Sequence, residues 1–161
     1  MSENKQNIIW PDEFHPNNAP IHVKNVLEME VAPEVVWAWL IRAKLWPNWY
    51  PNAKRVRYDG SDLQKGIRFK WWTFGVPLTS TVVEYVPNEY IAWNAKAIGI
   101  WVYHAWLIEK TENCCRVTTE ESQYGWLCRL SKLVFPENMY KYHQIWLENM
   151  QEKARTGLPT P

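Results

Sequence analysis

The chain is poor in the residues that build metal and redox motifs: three cysteines in 161 residues, none at a spacing that resembles a zinc or dithiol pair. Cys114 and Cys115 are adjacent and point to opposite faces of a strand, and Cys128 stands alone, so no disulfide framework is expected and the thiols read as reduced. No apolar run approaches the roughly 20 residues needed to cross a bilayer, and the polar start MSENKQN leads into no signal-like apolar segment. A cytoplasmic protein without membrane insertion is the expectation. An excess of one charge is also missing. Lys and Arg number 18 against 17 Asp and Glu, a net +1, so the long-range field that drives non-specific nucleic-acid binding is absent and no nucleic-acid partner is expected. No glycine-rich phosphate loop or dinucleotide fingerprint occurs, and Ser122 and Ser131 lack a nucleophile-elbow context. What the chain has in excess is tryptophan, 12 residues, more large rings than a minimal core requires.

The length suits one domain. Residues 1–20, rich in Asn and Pro, read as an extended arm pinned by Trp10 and Phe14, and 21–157 as the domain. Ile21 to Val31 alternates, with Ile21, Val23, Leu27, Met29 and Val31 inward. Pro33 opens a helix whose apolar stripe is Val36, Trp37, Leu40 and Ile41, cut at Trp46-Pro47 before an aromatic turn at Trp49–Pro51. Six closely spaced strands follow, Lys54–Tyr58, Gly66–Phe74, Leu78–Val86, Tyr90–Ala97, Ile100–Thr111 and Cys114–Gln123, an antiparallel meander. The period then turns helical: a short helix over Trp126–Leu133, a break, and a long one over Pro136–Arg155 with Phe135, Met139, Tyr142, Trp146 and Met150 on its apolar stripe. The fold class is therefore α+β: a seven-stranded curved antiparallel sheet wrapped around a long C-terminal helix, with two short helices between strands 1 and 2.

This order of elements, with Ala-Pro-Glu-Val-Val-Trp at 32–37, Trp46-Pro47-Asn48-Trp49 and His104-Ala105-Trp106, resembles the START-like (SRPBCC) superfamily. That is the helix-grip fold of birch pollen allergen and of polyketide cyclase/dehydrase-like and lipid-binding proteins. The resemblance spans about 21–155. It implies a cavity between sheet and helix, and it carries over no catalytic residue, because the superfamily shares no catalytic signature.

The last hairpin holds the most chemistry. With Glu112-Asn113 as a two-residue turn, Thr111 faces Cys114, Glu109 faces Arg116 as an outer ion pair, and His104 lies opposite Glu121 on the inner face. Such a pair lets Glu121 hold one ring nitrogen and leaves the other for a ligand or proton transfer. His143 falls within the long helix's stripe and faces the same interior. The alternative is that these three groups satisfy one another, as buried polar groups must. A metal site of His104, Glu121 and His143 is conceivable, but neither a metal nor a cofactor is expected.

Trp71, Trp93, Trp101, Trp106 and Trp146 should approach one cavity, either to wall a pocket for a flat ligand or to fill a wide helix–sheet gap. Thr119 and Met139 would line it, and Tyr103, Tyr142 or His104 would serve as polar handles. Gly66–Trp72 interleaves bases with aromatics, as a single-strand nucleic-acid platform does, or as the outer face of a strand. The leading expectation is a monomer or homodimer that binds a small hydrophobic molecule, aromatic or polyketide- or lipid-like. One alternative is a cyclase/dehydratase-type enzyme in which His104, oriented by Glu121, moves a proton. A second is a co-chaperone-like interaction module using Trp49, Trp72 or the arm.

Overall fold

Alternation along each strand sorts the aromatic residues onto two faces of one sheet, and that sorting places everything that follows. The computed structural model describes residues 7–160. The strands are β1 (Ile21–Met29), β2 (Lys54–Arg57), β3 (Arg68–Thr73), β4 (Val76–Val86), β5 (Tyr90–Ala97), β6 (Ile100–Thr111) and β7 (Cys114–Tyr124). They form a curved, wholly antiparallel sheet in the order β1-β7-β6-β5-β4-β3-β2. The β6–β7 register is the expected one, with His104 opposite Glu121 and Thr111 opposite Cys114. Arg116 has Glu109 on one side and Glu28 of β1 on the other. Its Nε donates to Glu28 Oε1 at 2.6 Å, a partner visible only once β1 is known to lie beside β7.

Helix α1 (Pro33–Ile41) starts on Pro33, whose missing N–H costs nothing there, with Val35 and Val36 donating to the Ala32 carbonyl. A 3-10 stretch over Ala43–Asn48 follows. It buries Trp46, whose Nε1 donates to the Leu40 carbonyl at 3.0 Å. Helices α2 (Trp126–Val134) and α3 (Asn138–Arg155) close the chain. The turn into α2 needs glycine: Gly125 has φ 110°, and a Cβ there would lie 2.0 Å from the Gly99 carbonyl oxygen.

On α3 the buried residues are Met139, His143, Trp146, Leu147, Met150 and Ala154. Met139, Trp146 and Met150 of the expected stripe are among them, as is His143, and the two other expected members are not. Phe135 lies before the helix and is exposed, and Tyr142 is only half-buried. Phe135 falls outside the helix because α3 begins only at Asn138, with Pro136 in the turn between α2 and α3. The main core lies on the concave face, where Trp46, Phe69, Trp71, Trp93 and Trp106 meet Trp146, Leu147 and Met150 of α3. A smaller cluster occupies the convex face: Phe14, Tyr90, Ala92, Tyr103, Ala105 and Leu107, with Ile8 and Trp10 of the N-terminal segment packed over it. Among the described residues, no helix is long and apolar enough to cross a membrane.

A candidate ligand-binding cavity

Between α3 and the concave face lies a cavity of about 990 Å³, within the range of small-molecule sites. Trp71, Trp93 and Trp146 form its aromatic wall, with Leu78 and Met139, while Leu127 and Leu130 of α2 stand at its rim. At its polar end His104 from β6, Glu121 from β7 and His143 from α3 converge, all buried.

Glu121 is the hub of that end. His104 Nδ1 lies 3.0 Å and His143 Nε2 3.2 Å from Glu121 Oε2, and Gln123 Nε2 donates to Oε1 at 2.6 Å. The two imidazoles stack with centroids 4.9 Å apart and planes 12° from parallel. Burial opposes ionisation of Glu121, yet the histidines and their hydrogen bonds outweigh it and hold the carboxyl below the usual carboxylate range. Burial likewise pushes His104 below its ordinary 6.5, more strongly than Glu121 raises it, and His143 adds to the lowering. His104 is therefore a neutral imidazole near pH 7. Its Nδ1–H donates to Glu121, and its Nε2, 2.7 Å from Thr119 Oγ1, accepts from that hydroxyl. The cavity thus presents one ionised carboxylate, held by three nitrogen donors, at the end of an aromatic chamber.

The residues expected at the site divide clearly. Trp71, Trp93, His104, Glu121, Met139, Tyr142, His143 and Trp146 all line the cavity. Thr119 and Trp106 do not. Thr119 spends its hydroxyl on His104, so the ring nitrogen that sequence reading left open for a ligand is already engaged. Trp106 is wholly buried, edge-on to Trp146 with centroids 4.9 Å apart. Tyr103 lies on the opposite face, because neighbours on a strand point opposite ways and His104 points inward; its hydroxyl donates to the Ile9 carbonyl at 3.4 Å. Trp101 shares that outer face and is exposed. Trp49 is buried in the core, so it offers no contact surface.

Three contributors escaped the sequence reading. Gln123 shares strand parity with Glu121 and could have been placed by the same register. Asn25, at an inward position of β1, donates to the Tyr140 carbonyl and to Gln144 Oε1, both at 3.2 Å, and ties α3 to the sheet. Tyr50 stacks on Trp146 at 4.3 Å, a long-range contact with no local signal. Among the described residues, His104, Glu121 and His143 are the group able to hold a metal ion, their ligand atoms lying within 4.8 Å of one another. A cation there would have to replace the protons that now bridge those nitrogens to Glu121.

Residues 20–155 match the family described as polyketide cyclase / dehydrase and lipid transport. The chain belongs to that family. This agrees with the helix-grip architecture and with the START-like resemblance. No curated protein matches. Among solved structures, the polyketide cyclase / dehydrase family protein is similar to a hypothetical protein of Helicobacter pylori, with 28% identity, 96% of this chain and 99% of that chain covered, and a TM-score of 0.86. The di-domain ARO/CYC StfQ from the steffimycin biosynthetic pathway shares the fold at 13% identity, with 84% of this chain and 50% of that chain covered and a TM-score of 0.70. A protein from Mesorhizobium loti does so at 14% identity over 85% of this chain and 98% of that one, with a TM-score of 0.66.

Proposed function

We propose that this protein binds a small, flat hydrophobic molecule between α3 and the sheet. The observation that carries the reading is the 990 Å³ cavity, walled by Trp71, Trp93 and Trp146 and ending on the Glu121 cluster. An aromatic ligand would gain edge and face contacts with the indoles, while a hydroxyl or N–H on it would find an acceptor at the carboxylate end. The open volume also weighs against the interaction-module reading, which a cavity filled by its own rings would have favoured.

A second reading, proton transfer of the cyclase/dehydratase kind, draws support from the same buried carboxylate and its imidazoles and from the family. In it His104, which lines the cavity and is oriented by Glu121, moves the proton once its Nε2 gives up the Thr119 hydroxyl.

Titration with 1-pyrenebutanol, followed by quenching of tryptophan emission, tests the binding reading. Saturable quenching with a thermal upshift is expected, and both should be lost when Met139→Trp fills the cavity. Absence of quenching and of any shift, for this probe and for a panel of neutral polycyclic compounds, would remove the proposal. If a turnover assay is found, His104→Ala should abolish the rate while leaving part of the affinity. Equal loss of both would count against proton transfer.

A further inference from the structure

Next to the cavity, where the convex face meets the start of α2, a second cleft of about 650 Å³ opens against β2–β5. Its lining holds four bases, Arg55, Arg57, Lys70 and Lys96, and no acid, in a chain whose charges otherwise nearly cancel. The register explains the concentration. Arg57 faces Lys70, Lys70 faces Thr79, and Thr79 faces Lys96, so three cations lie in one row across four strands. Like charges directly opposite on a sheet are unfavourable. Among the described residues, no ion pair involves any of the four. Arg55 lies over the Trp72 ring at 5.3 Å. Its φ of 53°, in the left-handed region, sits at the irregularity between Lys54 and Arg57, a strained conformation for a side-chain-bearing residue. Arg55, Trp71, Trp72, Val76, Leu78 and Leu127 border both the cleft and the cavity, so the two spaces are adjacent.

We infer that this cleft seats an anionic group, a carboxylate or phosphate, carried on a short tether by the ligand whose apolar body occupies the cavity. The inference rests on the binding function proposed above and narrows its ligand to an anionic amphiphile. An outside anion would relieve the repulsion along the Arg57–Lys70–Lys96 row, and the two guanidinium groups offer forked donors to its oxygens. A single-stranded nucleic acid is the weaker occupant. The cleft is pocket-sized, and the net charge of +1 provides no extended positive track for a polymer backbone.

The test compares 1-pyrenebutyrate with 1-pyrenebutanol, which share rings and tether and differ in carrying a carboxylate or a hydroxyl. At low salt the native protein should bind the acid about tenfold more tightly, the gain typical of hydrogen bonds to a charged group, and salt should erode that preference. The triple variant Arg57→Gln/Lys70→Gln/Lys96→Gln should abolish the preference and leave pyrenebutanol affinity unchanged. Equal affinity for the two probes in the native protein, or a preference that survives in the triple variant, would overturn the inference while leaving the cavity's function standing. Failure of both probes to bind would overturn the cavity's function as well. Inorganic phosphate that binds as tightly as pyrenebutyrate would make the cleft a free-anion site and break its link to the cavity. Oligothymidylate that binds more tightly than pyrenebutyrate, with the loss in the triple variant confined to it, would assign the face to nucleic acid instead.

Discussion

The two faces of the sheet each carry a histidine–glutamate contact, and they are not equivalent. On the convex side His22 Nε2 lies 2.9 Å from Glu120 Oε1 and its Nδ1 2.8 Å from Ser122 Oγ, beneath Trp10. On the concave side His104 and Glu121 meet at 3.0 Å with His143 as a third member. The outer pair remains partly wet, at 23% and 11% side-chain exposure, whereas His104 and Glu121 stand at 2% and 8%. The aromatic surroundings differ in the same sense. Phe14, Tyr90 and Tyr103 are sealed by the N-terminal segment, while the concave rings leave a chamber open beside the carboxylate. A histidine–carboxylate contact is common currency in proteins. A buried one at the end of an aromatic-walled cavity is what supports the ligand-binding proposal.

Removing each carboxylate should break the comparison most sharply. Glu121→Ala leaves two buried imidazole N–H groups without their acceptor, each worth about 1–3 kcal/mol when unsatisfied, and should show that loss in urea denaturation, whereas Glu120→Ala should cost no more than about 1 kcal/mol. Similar losses at both positions would mean the inner cluster is no more enclosed than the outer one. Next in size is Phe14→Ala, which opens the convex cluster and should cost about 3 kcal/mol without changing pyrenebutanol affinity. Coupled loss of binding would show that the two faces are not independent.

Acid should separate the faces further. Glu121's lowered value provides stability that is present above its ordinary range near 4.5 and lost as pH falls through the folded value. His104's lowered value means that, below about 6.5, the unfolded chain takes up a proton that the folded chain resists, so stability declines from there too. Both terms carry the same sign. Stability should fall below about pH 6.5 on account of His104 and below about pH 4.5 on account of Glu121, by up to about 1.4 kcal/mol per pH unit for each group, and Glu121→Gln should remove the Glu121 part of the slope, below about pH 4.5. An unchanged slope in that variant would contradict the assignment. The smallest effect belongs to Tyr103→Phe, which deletes a hydroxyl bonded to the Ile9 carbonyl and should cost at most about 1 kcal/mol, with ligand affinity intact.

Much of this was legible before any coordinates, and the reasons are local. A two-residue turn at Glu112-Asn113 sets the β6–β7 register, and the register puts His104 opposite Glu121. Helical spacing alone sends His143 to the same interior. The same parity that turns His104 inward turns Tyr103 to the convex face. The start of α3 is less legible, because Pro136 suits the first turn of a helix as well as the turn that precedes one. The engagement of His104 by Thr119, the Tyr50–Trp146 stack and the cleft of unpaired bases depend on how several elements meet in space. No spacing within one element encodes them.

The central claim is that the space beside Glu121 receives an aromatic molecule. A crystal structure of the protein grown with 1-pyrenebutanol tests it most directly. Pyrene density bounded by Trp71, Trp93 and Trp146 is the predicted result. Density confined to the convex face, or a cavity holding ordered water alone at saturating probe, would contradict it.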